Sequence, residues 1–240
     1  MKRQQLEDRR RHMGYGIKIL VKGPRACFTR PEMKAERVSY DVMTPSAARG
    51  ILEAVYWKPA IVWRIDSIEV LNKIRFETFR RNEVGKKLSY DKALSLCKGN
   101  NESFYIAASD TDDKTRQQRA TLLLRDVAYV VNAHFDLTNR AGVDDTVEKH
   151  YNIALRRLRK GQCFNQPYLG CREFSAEVSL VEEGKNVPPS AYADVLEKDF
   201  GFMLYDLDFT DIEHPEPKFF RAVMRSGVID VSAIAREAIG

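Results

Sequence analysis

Lys149 and His150 stand side by side in DDTVEKHYNIALRRLRKG, a stretch from Asp144 to Gly161 that closes on Arg156, Arg157, Arg159 and Lys160. A histidine with its ordinary pKa of ~6.5 gives or takes a proton near neutral pH. An adjacent ammonium can stabilise the negative charge that builds on a phosphorane. RNA carries its own nucleophile, the 2′-hydroxyl. A base, an acid and a cation around one phosphate therefore suffice for cleavage, and a metal is not required. The plain alternative is a histidine in the capping region of a solvated helix. Tyr56, in EAVYWKPAIVWRID, is a third candidate, followed by Trp57 and by Lys58-Pro59.

Other chemistries lack their signatures. His12, His134, His150 and His214 are scattered, and none pairs with an acid or a cysteine at a ligand spacing, so no metal site and no cofactor are expected. There is no GxGxxG, no P-loop and no GxSxG. His134 alternates within a strand and reads as structural; His214 sits in an exposed-looking loop. Cys27, Cys97, Cys163 and Cys171 form no C-x-x-C, which fits reduced thiols in a cytoplasmic protein.

Two helices must position the candidates. Thr44-Pro45 is a helix start, a hydroxyl N-cap with proline at the first helical position. Ala47, Ile51, Ala54 and Val55 continue at helical spacing up to Pro59. In the second helix Val147, Tyr151, Ala154, Leu155 and Leu158 form the apolar stripe, with acids at its start, bases at its end and Gly161 as the closing residue. His150 borders that stripe, while Lys149 points to the polar side. Strands are read at Tyr15–Lys22, Ile61–Val70, Ile74–Val84 (as hairpin partner of the preceding strand), Val127–Leu137 and Phe174–Glu182. Residues 85–120 read as a polar, irregular insertion.

The order is β-α-β-β-β-α-β, an α+β arrangement resembling a ferredoxin-like, RRM-like sandwich. Both helices of such a sandwich lie on one face, so Tyr56 could approach His150 across the helix pair. Residues 1–14 form a basic tail outside the fold, 15–182 the ferredoxin-like domain, and 183–240 a small antiparallel β domain with a turn at Ser226-Gly227. The tail lacks an apolar segment and is no secretory signal, and no apolar run reaches the ~18 residues of a membrane span.

Charge is divided unevenly. Residues 1–181 hold 33 Lys and Arg against 22 Asp and Glu, whereas residues 182–216 hold two lysines against ten acids. A basic face beside an acidic segment suits a polyanion bound on one side. The acidic segment would repel RNA and is expected to face a protein partner.

Four stretches, SYDVMTPSAARGILEAVYWKPAIVWRIDSIEVL, RQQRATLLLRDVAYVVNAHF, KHYNIALRRLRKGQ and PYLGCREF, together resemble one family. It is the CRISPR-associated endoribonuclease of subtype I-C, the precursor-RNA-processing variant of Cas family five. The resemblance runs from about Tyr15 to about Asp230. It implies a RAMP-type ferredoxin-like domain with a small C-terminal β domain. It also implies metal-independent cleavage at the base of the repeat hairpin, leaving a 2′,3′-cyclic phosphate, and retention of the product as a subunit of the complex called Cascade. The family's catalytic set falls on Tyr56, Lys149 and His150. In that set His150 would transfer protons, Lys149 would meet the phosphorane charge, and Tyr56 would orient or help deprotonate the 2′-hydroxyl. Lys58, Arg80, Arg81, Arg116, Arg119, Arg156, Arg157, Arg159 and Lys160 are the candidates for holding the repeat and guide RNA backbone. The alternative within the family is a non-catalytic subunit gripping the 5′ end of the guide. An unrelated RNA-recognition module is disfavoured because its aromatic sheet motif is absent.

Overall fold

The structure, a computed structural model, describes residues 15–33, 36–99, 105, 116–182, 184, 186–211 and 213–232. The basic tail of residues 1–14 and much of the 85–120 insertion lie outside them. In chain order the elements are β1 (Ile17–Ala26), β2 (Arg37–Val38), α1 (Pro45–Val55), β3 (Ile61–Val70), β4 (Phe76–Val84), α2 (Tyr90–Cys97) and β5 (Arg116–Leu137), followed by α3 (Val147–Arg159), β6 (Glu177–Leu180), β7 (Lys198–Asp208), β8 (Glu216–Arg225) and β9 (Val228–Asp230). The chain is a mixed α/β fold dominated by one large sheet, in the order β6-β1-β5-β3-β9-β8-β7, with β2 and β4 also paired to β5. Every pairing is antiparallel except that of β2 with β5.

The 22-residue β5 organises the sheet. Its second half pairs with β3, from Val70↔Tyr129 to Ile61↔Leu137, and its first half pairs with β4, from Phe76↔Leu124 to Val84↔Arg116. β3 and β4 therefore lie end to end along one flank of β5, and β4 is not the hairpin partner of β3. The connection carries no tight-turn sequence. Instead Leu71 N–H donates to Ala128 O, Asn72 Nδ2 to Asp126 O and Arg125 N–H to Arg75 O, so the chain keeps running beside β5. Asp126 sits at the junction of the two halves with φ 51°, a left-handed backbone that Asp tolerates better than most residues. The strand expected at 127–137 thus begins at Arg116, and the insertion between β4 and β5 includes the short helix α2.

β1 alternates as its sequence requires, with Ile17, Ile19 and Val21 buried in the hydrophobic core. α1 begins at the expected cap: Thr44 Oγ1 accepts from Ala47 N–H at 3.3 Å and Pro45 opens the helix. Such a cap contributes about 1 kcal/mol. α1 ends at Val55, earlier than its sequence suggests. Tyr56 is the C-cap, with extended backbone (φ −152°, ψ 120°), and Trp63 Nε1–H donates to its carbonyl at 2.8 Å. Pro59 restricts only its immediate predecessor, so it does not set the helix end; the bond from Trp63 holds Tyr56 out of the helical region.

α3 starts under Thr146, whose hydroxyl accepts from Lys149 N–H at 3.2 Å. Its last turn holds Arg156, Arg157 and Arg159, and Gly161 closes it with φ 61°. Gly161 N–H donates to Leu158 O and Gln162 N–H to Arg157 O, a Schellman ending that a left-handed glycine permits. α1 and α3 lie on the same face, α1 against β3 and β7, α3 against β6, and the two helices touch.

The C-terminal strands continue the same sheet, because β9 pairs with β3. Ser226 (φ 47°) and Gly227 (φ 84°) make the expected two-residue turn. Several acids of the acidic segment have partners inside the chain: Asp206 with Arg49 at 2.7 Å, Asp199 with Arg221 and Asp208 with Lys218 at 2.5 Å, Glu197 with Arg225 at 3.0 Å. Among the described residues no helix is long and apolar enough to cross a membrane.

Candidate functional site

The C-cap of α1 and the first turn of α3 bring two of the singled-out residues into contact. The Tyr56 phenol oxygen lies 2.7 Å from His150 Nδ1. Both residues are 2% exposed. Trp63 and Phe135 wall the pair, Phe135 meeting the imidazole edge-on at 6.4 Å between ring centroids. The other imidazole nitrogen, Nε2, is 3.2 Å from Asp145 Oδ1 but off the line a hydrogen bond needs, so Nε2 is buried without a hydrogen-bond partner. The tautomer with the proton on Nε2 suits both neighbours: Nε2–H faces the carboxylate, and Nδ1 accepts from the phenol.

Lys149 takes the other side of the turn. Its side chain is 47% exposed, and Nζ donates to Asp145 Oδ1 at 3.2 Å and to Asp144 O at 3.1 Å. Asp145 Oδ2 accepts from Gly142 N–H at 3.0 Å. One carboxylate thus ties together the loop before the helix, the ammonium and the space beside the imidazole. The Gly142 amide first, and then Lys149, hold Asp145 below the usual carboxylate range.

Burial dominates the titration of the pair. It lowers the His150 pKa; Asp145 opposes the shift, and Lys149 and Lys58 add to it. Burial raises the Tyr56 pKa, against the pull of Arg157. At pH 7 the pair is a neutral phenol and a neutral imidazole. Proton exchange between two neutral groups at 2.7 Å is the chemistry this geometry permits, with a cation at the surface beside it.

The basic candidates fall into two groups on separate elements. Lys58, Arg156 and Lys160 are exposed near the helix ends and carry no ion pair among the described residues. Arg157 is committed instead: Nη1 donates to Val55 O at 2.8 Å, and the guanidinium lies 5.2 Å from the centre of the Tyr56 ring. Arg159 pairs with Glu182 at 2.8 Å. Arg80, Arg81, Arg116 and Arg119 belong to the β4–β5 ribbon, where Arg81 is held by Glu83 and Glu173 and Arg119 by Glu83.

Three features escaped the sequence reading. Asp145, taken only as a favourable acid at a helix start, is the hub of the site; its i,i+4 spacing to Lys149 was the available signal. Arg157 positions the α1 C-terminus. Phe164, on the loop after α3, is held at the end of α1 by its amide on Ala54 O. His134, read as structural, bonds Asp66 at 2.9 Å. Among the described residues no group of three or more His, Cys, Asp or Glu is placed to hold a metal.

Comparison with known proteins identifies the family. Residues 16–232 match the family described as CRISPR-associated protein (Cas_Cas5), in its Cas5d form. The chain is 48% identical over 229 residues to the CRISPR pre-crRNA endoribonuclease Cas5d of Mannheimia succiniciproducens, covering 95% of this chain and 99% of that protein. It is 39% identical to the protein of the same name from Thermus thermophilus, covering 90% and 91%. A crystal structure described as a CRISPR-associated protein superposes with a TM-score of 0.66 at 25% identity, covering 90% of each chain. This chain belongs to the Cas5d family of CRISPR-associated proteins.

Proposed function

We propose that this chain is a metal-independent endoribonuclease that cuts CRISPR precursor RNA at the base of the repeat hairpin. The product would carry a 2′,3′-cyclic phosphate, and the protein would stay on it as a subunit of the type I-C Cascade complex in the cytoplasm. The observation that carries this reading is the 2.7 Å contact between Tyr56 Oη and His150 Nδ1, with Lys149 beside it. In the first step the substrate 2′-hydroxyl gives its proton to Tyr56 Oη, which passes its own to Nδ1. The 2′-oxygen then bonds to phosphorus, and the bond from phosphorus to the 5′-oxygen breaks as that oxygen takes the proton returned from the His150 imidazolium, which restores the neutral pair. Asp145 steadies the imidazolium formed on the way, and Lys149 faces the phosphorane oxygens. Because the pair is buried, the α3 start must shift locally before a strand reaches the phenol.

The fold reading belongs to the same proposal. Taken by itself, β1-α1-β3-β5-α3-β6 has the strand order β6-β1-β5-β3 with both helices on one face, which supports a ferredoxin-like, RAMP-type domain over 15–182. The 183–240 segment would then be a β unit annexed to its edge through β9. The acids of 182–216 that have no ion pair among the described residues would face another Cascade subunit, and reversing their charge should impair assembly.

Burial of both Tyr56 and His150 also favours a second reading, a non-catalytic clamp on the guide 5′ end. Cleavage of a hairpin repeat RNA in EDTA decides between them. The enzyme reading expects wild type to cut, and Tyr56→Phe and His150→Ala to bind without cutting. A substrate deoxy at the scissile 2′ position should bind and survive. Tight binding of all three proteins with no cleavage by any of them would establish the clamp.

A further inference from the structure

At the C-terminal end of α1 lies a cleft of about 550 Å³ lined by Trp57, Phe164, Tyr168 and Arg172, with Gly50 and Ala54 of α1 along one wall. Phe164 is 79% exposed and Trp57 52%. Two large aromatic faces left in water contribute little to folding. They are nevertheless held firmly. Phe164 N–H and Asn165 N–H both donate to Ala54 O, at 2.8 and 3.1 Å, and Tyr168 bridges to Ser175. The rings are therefore pre-positioned by backbone bonds rather than carried on a loose loop.

The rim has the right charge for an anion. Arg172 has no ion pair or hydrogen bond among the described residues. The carboxylate in the lining, Glu53, is already taken by Arg49 at 2.8 Å. Flat π-faces, small residues that leave room between them and an unpaired guanidinium are the parts of a single-strand stacking site: any base offers a π-face, and the cation meets its phosphate. The polar Asn165 and Gln166 in the same lining suit a base edge better than an apolar side chain of a protein partner. Trp57 directly follows Tyr56 in the chain, so the cleft and the buried pair are joined through the end of α1.

We propose that the Trp57–Phe164–Tyr168 cleft stacks an unpaired base of the RNA, with Arg172 on the adjoining phosphodiester. The proposal rests on the RNA-processing reading above. It is tested by equilibrium binding of the full chain to a hairpin repeat RNA that is 2′-deoxy at the cleavage position, and to versions with one abasic nucleotide at each flanking position. Phe164→Ala should weaken binding by roughly 5- to 150-fold, the range of one stacked base, while Phe164→Tyr should bind as wild type does. One abasic position should weaken wild type by the same factor and leave Phe164→Ala unchanged. Arg172→Ala should flatten the salt dependence by about 0.7 in the log–log slope and keep the abasic effect. Wild-type binding with Phe164→Ala and Trp57→Ala unaltered overturns the stacking site alone. Failure of wild type to bind the repeat at all overturns both it and the reading beneath it.

Discussion

Replacing Tyr56 by Phe removes a single oxygen, and the structure sets what that should cost. The phenol is the hydrogen-bond partner of His150 Nδ1 at 2.7 Å, in a site where both residues are 2% exposed. Nε2 is already without a hydrogen bond, so the variant leaves an imidazole buried with both nitrogens unpaired. A net hydrogen bond is worth about 1 kcal/mol, but stranding a buried acceptor raises the loss to about 1–3 kcal/mol. For a chain of this length that corresponds to a fall in Tm of roughly 2–12 °C. The internal control is Tyr56→Phe combined with His150→Leu. Removing both polar partners should recover part of the loss, whereas two independent packing defects would add. Urea unfolding at pH 7.5 reads all three proteins on one scale. A Tyr56→Phe midpoint within about 0.3 kcal/mol of wild type would mean the contact is absent in solution, and the proton path through Nδ1 would go with it.

Three further outcomes follow from the same geometry. Stability should respond to pH through two histidines of opposite sign. The pKa of His150 is lowered by burial, so its contribution is complete above the unfolded value of ~6.5 and is lost as pH falls below it; that of His134 is raised by its bond to Asp66, so its contribution is complete below ~6.5 and is lost as pH rises through the folded pKa. Asp66→Asn should therefore destabilise most at pH 5–6 and least at pH 8 in urea titrations, and a loss independent of pH would refute the pairing. Gly170→Ala should cost about 3 kcal/mol or more, because φ is +83° and a Cβ would collide with Cys27 O; a normal melting curve would refute this close approach of the two backbones. Thr44→Ala should cost about 1 kcal/mol of unfolding free energy through the lost cap on α1, and Thr44→Ser should restore most of it.

The elements that were legible in the chain are those fixed by local chemistry. Thr44-Pro45, Thr146 and Gly161 mark helix ends through bonds made within one turn, and the alternation of Ile17, Ile19 and Val21 follows from the strand period. Lys149 and His150 were separable for the same reason, one residue being about a hundred degrees of helix rotation. The errors concern partners distant in sequence. Nothing local shows that Phe76 pairs with Leu124 rather than folding back on β3. Nor does the helical pattern reveal that Trp63 draws Tyr56 out of α1, since the donor comes from the next strand. The contact between Tyr56 and His150 needed only the expectation that both helices share a face. The aromatic cleft needed the path of the loop after α3, which depends on two amides meeting Ala54 O.

On the proposed mechanism, the division between what is buried and what is exposed would give the site its order of events. Burial keeps phenol and imidazole uncharged at pH 7 and makes passage of a proton from Oη to Nδ1 uphill, with the charge separation it creates confined to 2.7 Å. The same burial keeps water from competing for that proton. Lys149 is half in solvent, so a phosphate arriving along the surface meets the ammonium before it meets the base. Asp145 holds the two in fixed relation, because its carboxylate grips the Lys149 ammonium while facing His150 Nε2. A phosphate that draws Lys149 away from Asp145 leaves that carboxylate with less to balance it, and the nearest group able to take up a proton is His150. On the proposed mechanism, binding the anion and strengthening the base would be one movement, in which the substrate's own charge raises the proton affinity of the imidazole.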